Sequence, residues 1–236
     1  MSYLKQFFRW SIDTLFPKYC VGCALPDTFL CPECFAKIVF IKKQQCGRCL
    51  KISTGGKTCL KCKQVWALDN LLVATYYSDG PVKELIHAYK YEGNRSLKND
   101  LMQIVQNNHA LIDSLNTIKG EKIIIPVPLH YKRRWWRGFN QSEDIAKLIS
   151  AKLKILTTNS VLKRKFNTKI QASLHRKDRL NNLIEAFEAK TCLNINSSVI
   201  LIDDIATTGA TLNACAFALK KSGAKRVIGV VVARAF

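Results

Sequence analysis

Two groups of residues in this 236-residue chain have the types and spacing to do chemistry. The first lies in Val199–Leu212, VILIDDIATTGATL, where an apolar run ends in two carboxylates and passes into small hydroxylated residues. Unpaired amides at a helix start over Ala206, Thr207, Thr208, Gly209, Ala210 and Thr211, with the positive end of the helix dipole, favour a phosphate. Gly209 lets the backbone approach closely, and the three threonines add hydroxyl donors. Asp203 and Asp204 are wrong for gripping a phosphate. A carboxylate does, however, accept hydrogen bonds from vicinal sugar hydroxyls or help hold Mg²⁺, so a phosphorylated ribose satisfies both halves. The plainer reading is a buried strand with two aspartates capping a helix, but two adjacent acids followed by TTGAT are too specific for a generic cap.

The second group is eight of the ten cysteines, arranged as four C-x2-C pairs: Cys20/Cys23, Cys31/Cys34, Cys46/Cys49 and Cys59/Cys62. A two-residue gap points both thiolates of a turn at one metal, and two such knuckles complete a tetrahedral site. Two zinc ions are expected, with iron on the same ligands as the less expected alternative. Pairing the first four and the last four cysteines needs only short loops and is preferred to an interleaved arrangement, although the spacing leaves both open. Four thiolates leave no open position on the metal, so the zinc is structural, and a segment of about forty residues so poor in apolar side chains needs it to fold. Gly22 and Gly47 sit where a knuckle wants a small residue. Cys192 and Cys215 stand in apolar settings and read as core.

These groups require particular elements to position them. Val199–Ile202 has the continuous β-branched character of a strand buried on both faces of a parallel sheet. Leu212, Cys215, Ala216 and Leu219 recur at helical spacing up to Ser222-Gly223. The turn at 205–211 therefore joins the carboxyl end of a strand to a helix, the place where open α/β sheets bind ligands. Earlier in the chain, Leu71–Tyr77 reads as a strand, Ser78–Pro81 as a turn and Val82–Tyr91 as a helix, with a further helical stretch at 97–115. Ile123–Pro128 is a buried strand, followed by a basic loop and a helix over Gln141–Leu153. Strands are expected at 160–163 and 186–189, joined by a long basic connection of the kind that forms lids, and Val227–Ala233 closes the sheet. Residues 1–16 have an amphipathic helical pattern in Leu4, Phe7, Phe8, Ile12, Leu15 and Phe16. Packing on the protein itself is the expected role, and a membrane-surface helix using Lys5 and Arg9 is the alternative.

Residues 199–212 closely resemble the 5-phosphoribosyl-1-pyrophosphate (PRPP) signature of type I phosphoribosyltransferases, and their surroundings resemble the ComF family, associated with DNA uptake in competent bacteria. The resemblance includes Lys90-Tyr91-Glu92-Gly93, the PVPLH of Pro126–His130, the RGFNQ of Arg137–Gln141, and a spaced set comprising Gln171, Leu174, Arg176, Arg179, Asn182 and Ala186-Phe187. It spans Cys20 to Arg234. It implies, after the amphipathic N-terminal helix read over 1–16, a double zinc ribbon over 17–65 and a type I phosphoribosyltransferase-like α/β domain with a mostly parallel sheet over 66–236. It also implies Mg-PRPP as ligand, with the 5-phosphate on 206–211 and the ribose hydroxyls at the catalytic pair Asp203 and Asp204. The pyrophosphate would lie at His130, Lys132 and Arg133, and at Arg176 and Arg179 of a flexible loop that also carries Lys165 and Lys169. The segment outside the core sheet becomes a hood over the acceptor, within which His87 reads as a surface residue. A homodimer and contacts with competence-machinery proteins are further implications.

Charge points to a larger partner. The formal net charge is +20, and eight thiolates holding two Zn²⁺ would lower it only to +16. Between His130 and Arg179 there are fourteen Lys/Arg against three Asp/Glu, more positive charge than one pyrophosphate needs. Trp135 and Trp136 sit among Arg133, Arg134 and Arg137. They either stack the bases of single-stranded DNA while the cations hold its backbone, or are buried against the helix at 141–153. There is no apolar run of about 18 residues and no secretory signal, so the cytoplasm is the expected location. Two functions stay open: a PRPP-binding protein of DNA uptake that handles incoming single strands, with phosphoribosyl transfer undecided, and a metabolic phosphoribosyltransferase acting on a nucleobase or other small acceptor.

Overall fold

The computed structural model describes residues 17–165, 183–190 and 198–235. The expected N-terminal helix, Cys192, Lys169, Arg176 and Arg179 lie outside these residues.

From residue 17 to residue 65 the chain is mostly turns, with two short α-helices, α1 (Pro32–Ala36) and α2 (Leu60–Lys63), each entered directly after a cysteine, and a 3-10 turn at Thr54–Gly56. Strand β1 (Asn70–Tyr76) follows, then α3 (Pro81–Tyr91), α4 (Lys98–Asn107), α5 (His109–Asn116) and β2 (Lys122–Pro126). The stretch at 97–115 is thus two helices. They break at Asn108, whose side chain caps α5 through the Leu111 amide at 2.8 Å while donating to the carbonyls of Ile41 at 3.0 Å and Ala74 at 2.6 Å. Next come α6 (Tyr131–Arg137), α7 (Gln141–Leu153) and β3 (Leu156–Thr157). The basic segment after β2 is therefore a short helix and not a loop; it ends at Gly138 in the left-handed region. Strands β4 (Leu162–Arg164) and β5 (Phe187–Ala189) pair antiparallel, so the long basic connection leaves and returns on a two-stranded stem. The chain closes with β6 (Ser198–Ala206), α8 (Ala210–Lys221) and β7 (Arg226–Arg234).

The main sheet has five parallel strands in the order β1-β7-β6-β2-β3. Both its faces are covered, which is why its strands are continuous apolar runs. Ile124, Ile200, Ile202, Ile228 and Val230 face α3, α4, α5 and α7, whereas Ile125, Val199, Leu201, Val227 and Val231 face α8 and the β4–β5 stem. From β2 the chain moves to β3 on one side and later returns through β6 on the other. The order therefore reverses between β2 and β6, and their carboxyl ends open the crevice that such a reversal creates.

The cysteine-rich segment lies along the free edge of β1. Gln44 brackets Val73, donating to its carbonyl at 3.0 Å and accepting from its amide at 2.9 Å. Thr75 donates to the Val39 carbonyl at 2.7 Å, and Thr58 donates to that of Leu68 at 2.6 Å. An edge that would otherwise invite pairing with another chain is thus occupied.

Candidate functional site

The cysteines segregate as first four and last four. The sulfurs of Cys20, Cys23, Cys31 and Cys34, and those of Cys46, Cys49, Cys59 and Cys62, each lie within 4.8 Å of one another. Cys23 and Cys31 sulfurs are 3.6 Å apart and those of Cys49 and Cys59 are 3.7 Å apart. A tetrahedron of sulfurs about 2.3 Å from zinc has edges of roughly 3.8 Å, so both sets fit two structural zinc ions. The Cys31 amide donates to Cys20 Sγ at 3.3 Å and the Cys34 amide to Cys31 Sγ at 3.4 Å, as in a metal knuckle. A Cβ on Gly22 would lie 2.8 Å from Cys34 Sγ, so the first knuckle needs glycine for room. Burial opposes ionisation of Cys20 and Cys46, yet backbone amides aimed at their sulfurs pull both thiols down to about 6. Burial, then neighbouring sulfurs, push Cys34 and Cys62 up to about 12. Metal must therefore displace protons to hold four thiolates.

At the carboxyl edge of the sheet, β6 runs past the apolar segment through both acids, with Asp203 in register with Val231 and Ala206 with Arg234. The acids are held differently. Asp203 Oδ1 accepts from the Ser142 hydroxyl at 2.9 Å and from the Asp204 amide at 3.0 Å. Asp204, buried, accepts from the Ile205 amide at 2.7 Å and pairs through Oδ2 with Lys90 Nζ at 2.8 Å. Burial, and then the Asp204 charge, push the Asp203 carboxyl up to about 7, against the pull of Lys90 and Ser142. The Lys90 ammonium thus stands where a cation belongs beside two carboxylates.

Past the acids the chain turns at Thr207 and Thr208, both exposed, and enters α8 at Gly209, whose φ of 76° favours glycine. Thr208 Oγ1 accepts from the Ala210 amide at 3.3 Å, while Ala210 and Thr211 are half-buried. The remaining amides of this first helical turn have no partner within the helix itself. Gly209 also sits close above the Cys46/Cys49 knuckle: a Cβ there would meet the Gly47 carbonyl oxygen at 3.5 Å and the Trp66 ring at 3.6 Å. Arg234, buried at the end of β7, donates to that same Gly47 carbonyl at 2.7 Å.

Cations rim the crevice. His130 is buried and caps α6, its Nδ1 accepting from the Lys132 amide at 3.3 Å, which leaves the proton of the neutral ring on Nε2. Burial, then the charges of Arg164, Lys132 and Arg133, hold its imidazole below the usual value. Arg164 lies over the Phe187 ring at 5.2 Å, and burial, then the Arg133 charge, lowers its pKa against the pull of the Asp203 carboxyl. The charges of Arg133 and Arg164 thus bear on His130, and that of Asp203 bears on Arg164. Lys132 and Arg133 are exposed. Lys165, expected on the loop that serves the pyrophosphate, pairs with Glu188 across the stem at 2.9 Å.

Trp135 and Trp136 are 86% and 64% exposed, so neither is buried against α7. Arg134 forks onto Glu143 at 2.9 and 3.3 Å, and Arg137 lies over the Tyr91 ring at 5.1 Å. His87 is exposed on α3, as expected, and Cys215 is fully buried. Sequence reasoning missed Ser142, Arg164 and the Lys90 ion pair. Lys90 was visible inside the Lys-Tyr-x-Gly segment, but neither Ser142 nor Arg164 carried a signal beyond proximity to a motif. Among the described residues no helix is long and apolar enough to cross a membrane.

Fold and sites together define a phosphoribosyltransferase-type α/β domain carrying a double zinc ribbon. Residues 137–235 match the Phosphoribosyl transferase domain family and residues 11–63 the Double zinc ribbon domain family. The chain is 31% identical over 214 residues to Competence protein F of Haemophilus influenzae, covering 88% of this chain and 86% of that protein. It is 29% identical over 204 residues to Competence protein ComFC of Streptococcus pneumoniae, covering 85% and 86%. It is 27% identical over 219 residues to DNA utilization protein YhgH of Escherichia coli, covering 93% and 88%. The chain belongs to the ComF family.

Proposed function

We propose that this protein binds Mg-PRPP at the carboxyl edge of its sheet and acts in DNA uptake, handling incoming single strands in the cytoplasm. The observation that carries the PRPP reading is the acid pair Asp203/Asp204 set directly before a glycine-led helix start, at the point where strand order reverses. The 5-phosphate belongs on the 206–211 turn, the ribose hydroxyls on Asp203 and Asp204, and the pyrophosphate towards His130, Lys132, Arg133 and Arg164. Arg176 and Arg179 join from the connection that springs from the β4–β5 stem. Mg²⁺ bound with PRPP would supply positive charge to the pyrophosphate beside these residues. Phosphoribosyl transfer to an acceptor is the reaction for which this edge is equipped: carboxylates beside the sugar, and cations that stabilise the leaving group as the bond to it breaks.

The DNA reading is supported by three features. Relatives are named for competence and for DNA utilization. Trp135 and Trp136 project into solvent beside Arg133, Arg134 and Arg137, which suits base stacking with backbone neutralisation. Eight cysteines gathered as metal ligands suit a reducing compartment.

Calorimetric titration of Mg-PRPP into the zinc-loaded protein tests the site. Binding is expected in the wild type and lost in the Asp203→Asn/Asp204→Asn double variant. Absence of PRPP binding beside tight, salt-sensitive DNA binding would reduce the signature to a remnant in a nucleic-acid-binding protein.

A further inference from the structure

Lys90 and Tyr91 are successive residues in the last turn of α3, and they face two different neighbours. Lys90 reaches inward to Asp204 at 2.8 Å, and its side chain is only 16% exposed. Tyr91 is 51% exposed; its ring centroid lies 6.0 Å from that of Trp136 at an interplanar angle of 60°, and the Arg137 guanidinium lies 5.1 Å from it. The His87 ring lies 4.8 Å from Tyr91 at 41° on the same helix, so Tyr91 is held in an aromatic and cationic cluster while half of its surface stays open to solvent. Tyr91 is 40 residues or more from the basic segment in sequence, and only the fold brings it there.

The body of α3 is anchored just before this turn. The Tyr89 hydroxyl donates to Asp144 at 3.1 Å, and Arg95 grips the same carboxylate at 3.0 and 2.7 Å. The Tyr89 ring packs 5.1 Å from Phe139, over which Arg95 also lies, at 5.2 Å. Any ligand that takes the Asp204 carboxylate competes with Lys90, and the displacement falls on the residue next to Tyr91. Trp136 and Arg137 belong to α6, whose cap His130 rims the same crevice.

We propose that Tyr91, Trp136 and Arg137 form a nucleobase-stacking subsite for single-stranded DNA, and that Lys90 couples it to the ribose-phosphate site so that PRPP and DNA change each other's affinity. The proposal rests on the reading of the acid edge and the basic face given above. It adds Tyr91 to the DNA surface and gives the linkage a physical joint. Linkage of this kind is reciprocal, and typical couplings are about 5–150-fold.

The test is fluorescence anisotropy of a labelled oligothymidylate with zinc-loaded full-length protein at fixed salt, with and without saturating Mg-PRPP. The wild type is expected to show DNA affinities that differ at least about fivefold between the two conditions. Trp135→Leu, which removes an exposed ring that touches neither Tyr91 nor Lys90, lowers both affinities and preserves their ratio. Tyr91→Leu lowers DNA affinity by about fivefold or more and brings the ratio to about one, whereas Tyr91→Phe keeps the ring and retains the ratio. A wild-type ratio of one, or an unchanged ratio in Tyr91→Leu, overturns the proposal. Failure of the wild type to bind PRPP or DNA at all, read separately by calorimetry, removes the underlying site instead and the proposal with it.

Discussion

The cysteine sites and the acid pair both gather groups that need a cation, and the chain meets that need in opposite ways. Each cysteine site draws four identical ligands from one short segment and closes around a metal, leaving no position for substrate. The acid edge is assembled from α3, α7, β4 and β6, and its charge is met by the protein's own Lys90. A metal that stays can be enclosed. A ligand that comes and goes needs a stand-in that can be displaced. The two regions are nevertheless one structure, because the Gly47 carbonyl of the Cys46/Cys49 knuckle lies beneath Gly209 and is fixed by Arg234. The closed site is the floor of the open one.

The largest expected effect comes from breaking the closed side. Structural zinc contributes about 10–16 kcal/mol to folding of small metal modules, as much as a typical domain's whole stability of about 5–15 kcal/mol. Chelation should therefore abolish the cooperative melting transition of the 17–65 segment, uncover β1 and promote aggregation. Metal analysis should first find two zinc ions per chain, and a melting curve unchanged by chelator would refute this part of the account.

The second prediction breaks the joint in one direction only. Cys46→Ser, which disables the site under Gly209, should weaken Mg-PRPP binding, whereas Asp203→Asn/Asp204→Asn should lose PRPP affinity by roughly 100-fold while keeping both zinc ions. Calorimetry paired with metal analysis reads the asymmetry. Equal loss of zinc in the two variants would dissolve the distinction between the regions.

A third, smaller effect concerns the seam. Gln44→Leu leaves both buried polar groups of Val73 without partners and should cost about 2–4 kcal/mol, seen as a lowered melting temperature with zinc content intact.

The smallest effect is electrostatic. The Asp203 carboxyl, pushed up to about 7, binds its proton more tightly in the folded chain than an ordinary carboxyl near 3.9 does in the unfolded one. Its contribution to stability is thus most favourable below about pH 4 and declines as pH rises towards 7. Asp203→Asn in the ligand-free protein should melt a few degrees above wild type at pH 8, with the gap narrowing towards pH 5. A gap that widens on acidification would mean that the carboxyl is stabilised as an anion.

What was legible in the sequence follows the same division. Ligands that are neighbours in the chain announced themselves: the C-x2-C spacing gave both metal sites, and short loops favoured the pairing that the sulfurs adopt. The parallel sheet was legible because burial on both faces leaves continuous apolar runs such as Val199–Ile202. Its end was not, because Asp203 and Asp204 look like a strand terminus although the ladder continues to Ala206. Asn108 breaks a helix for the sake of carbonyls more than thirty residues away, and no local propensity encodes that. Ser142, Arg164 and Lys90 reach the acid edge only through the fold. The Trp135–Trp136 pair left burial and exposure equally open, since aromatics among cations serve either role, and solvent exposure decides it.

The most direct measurement is a crystal structure of the zinc-loaded protein with Mg-PRPP. The account places the 5-phosphate on the amides and hydroxyls of 206–211 and the ribose hydroxyls on Asp203 and Asp204, with Lys90 drawn away from Asp204. Density for PRPP elsewhere, with the Lys90–Asp204 pair intact, would contradict it.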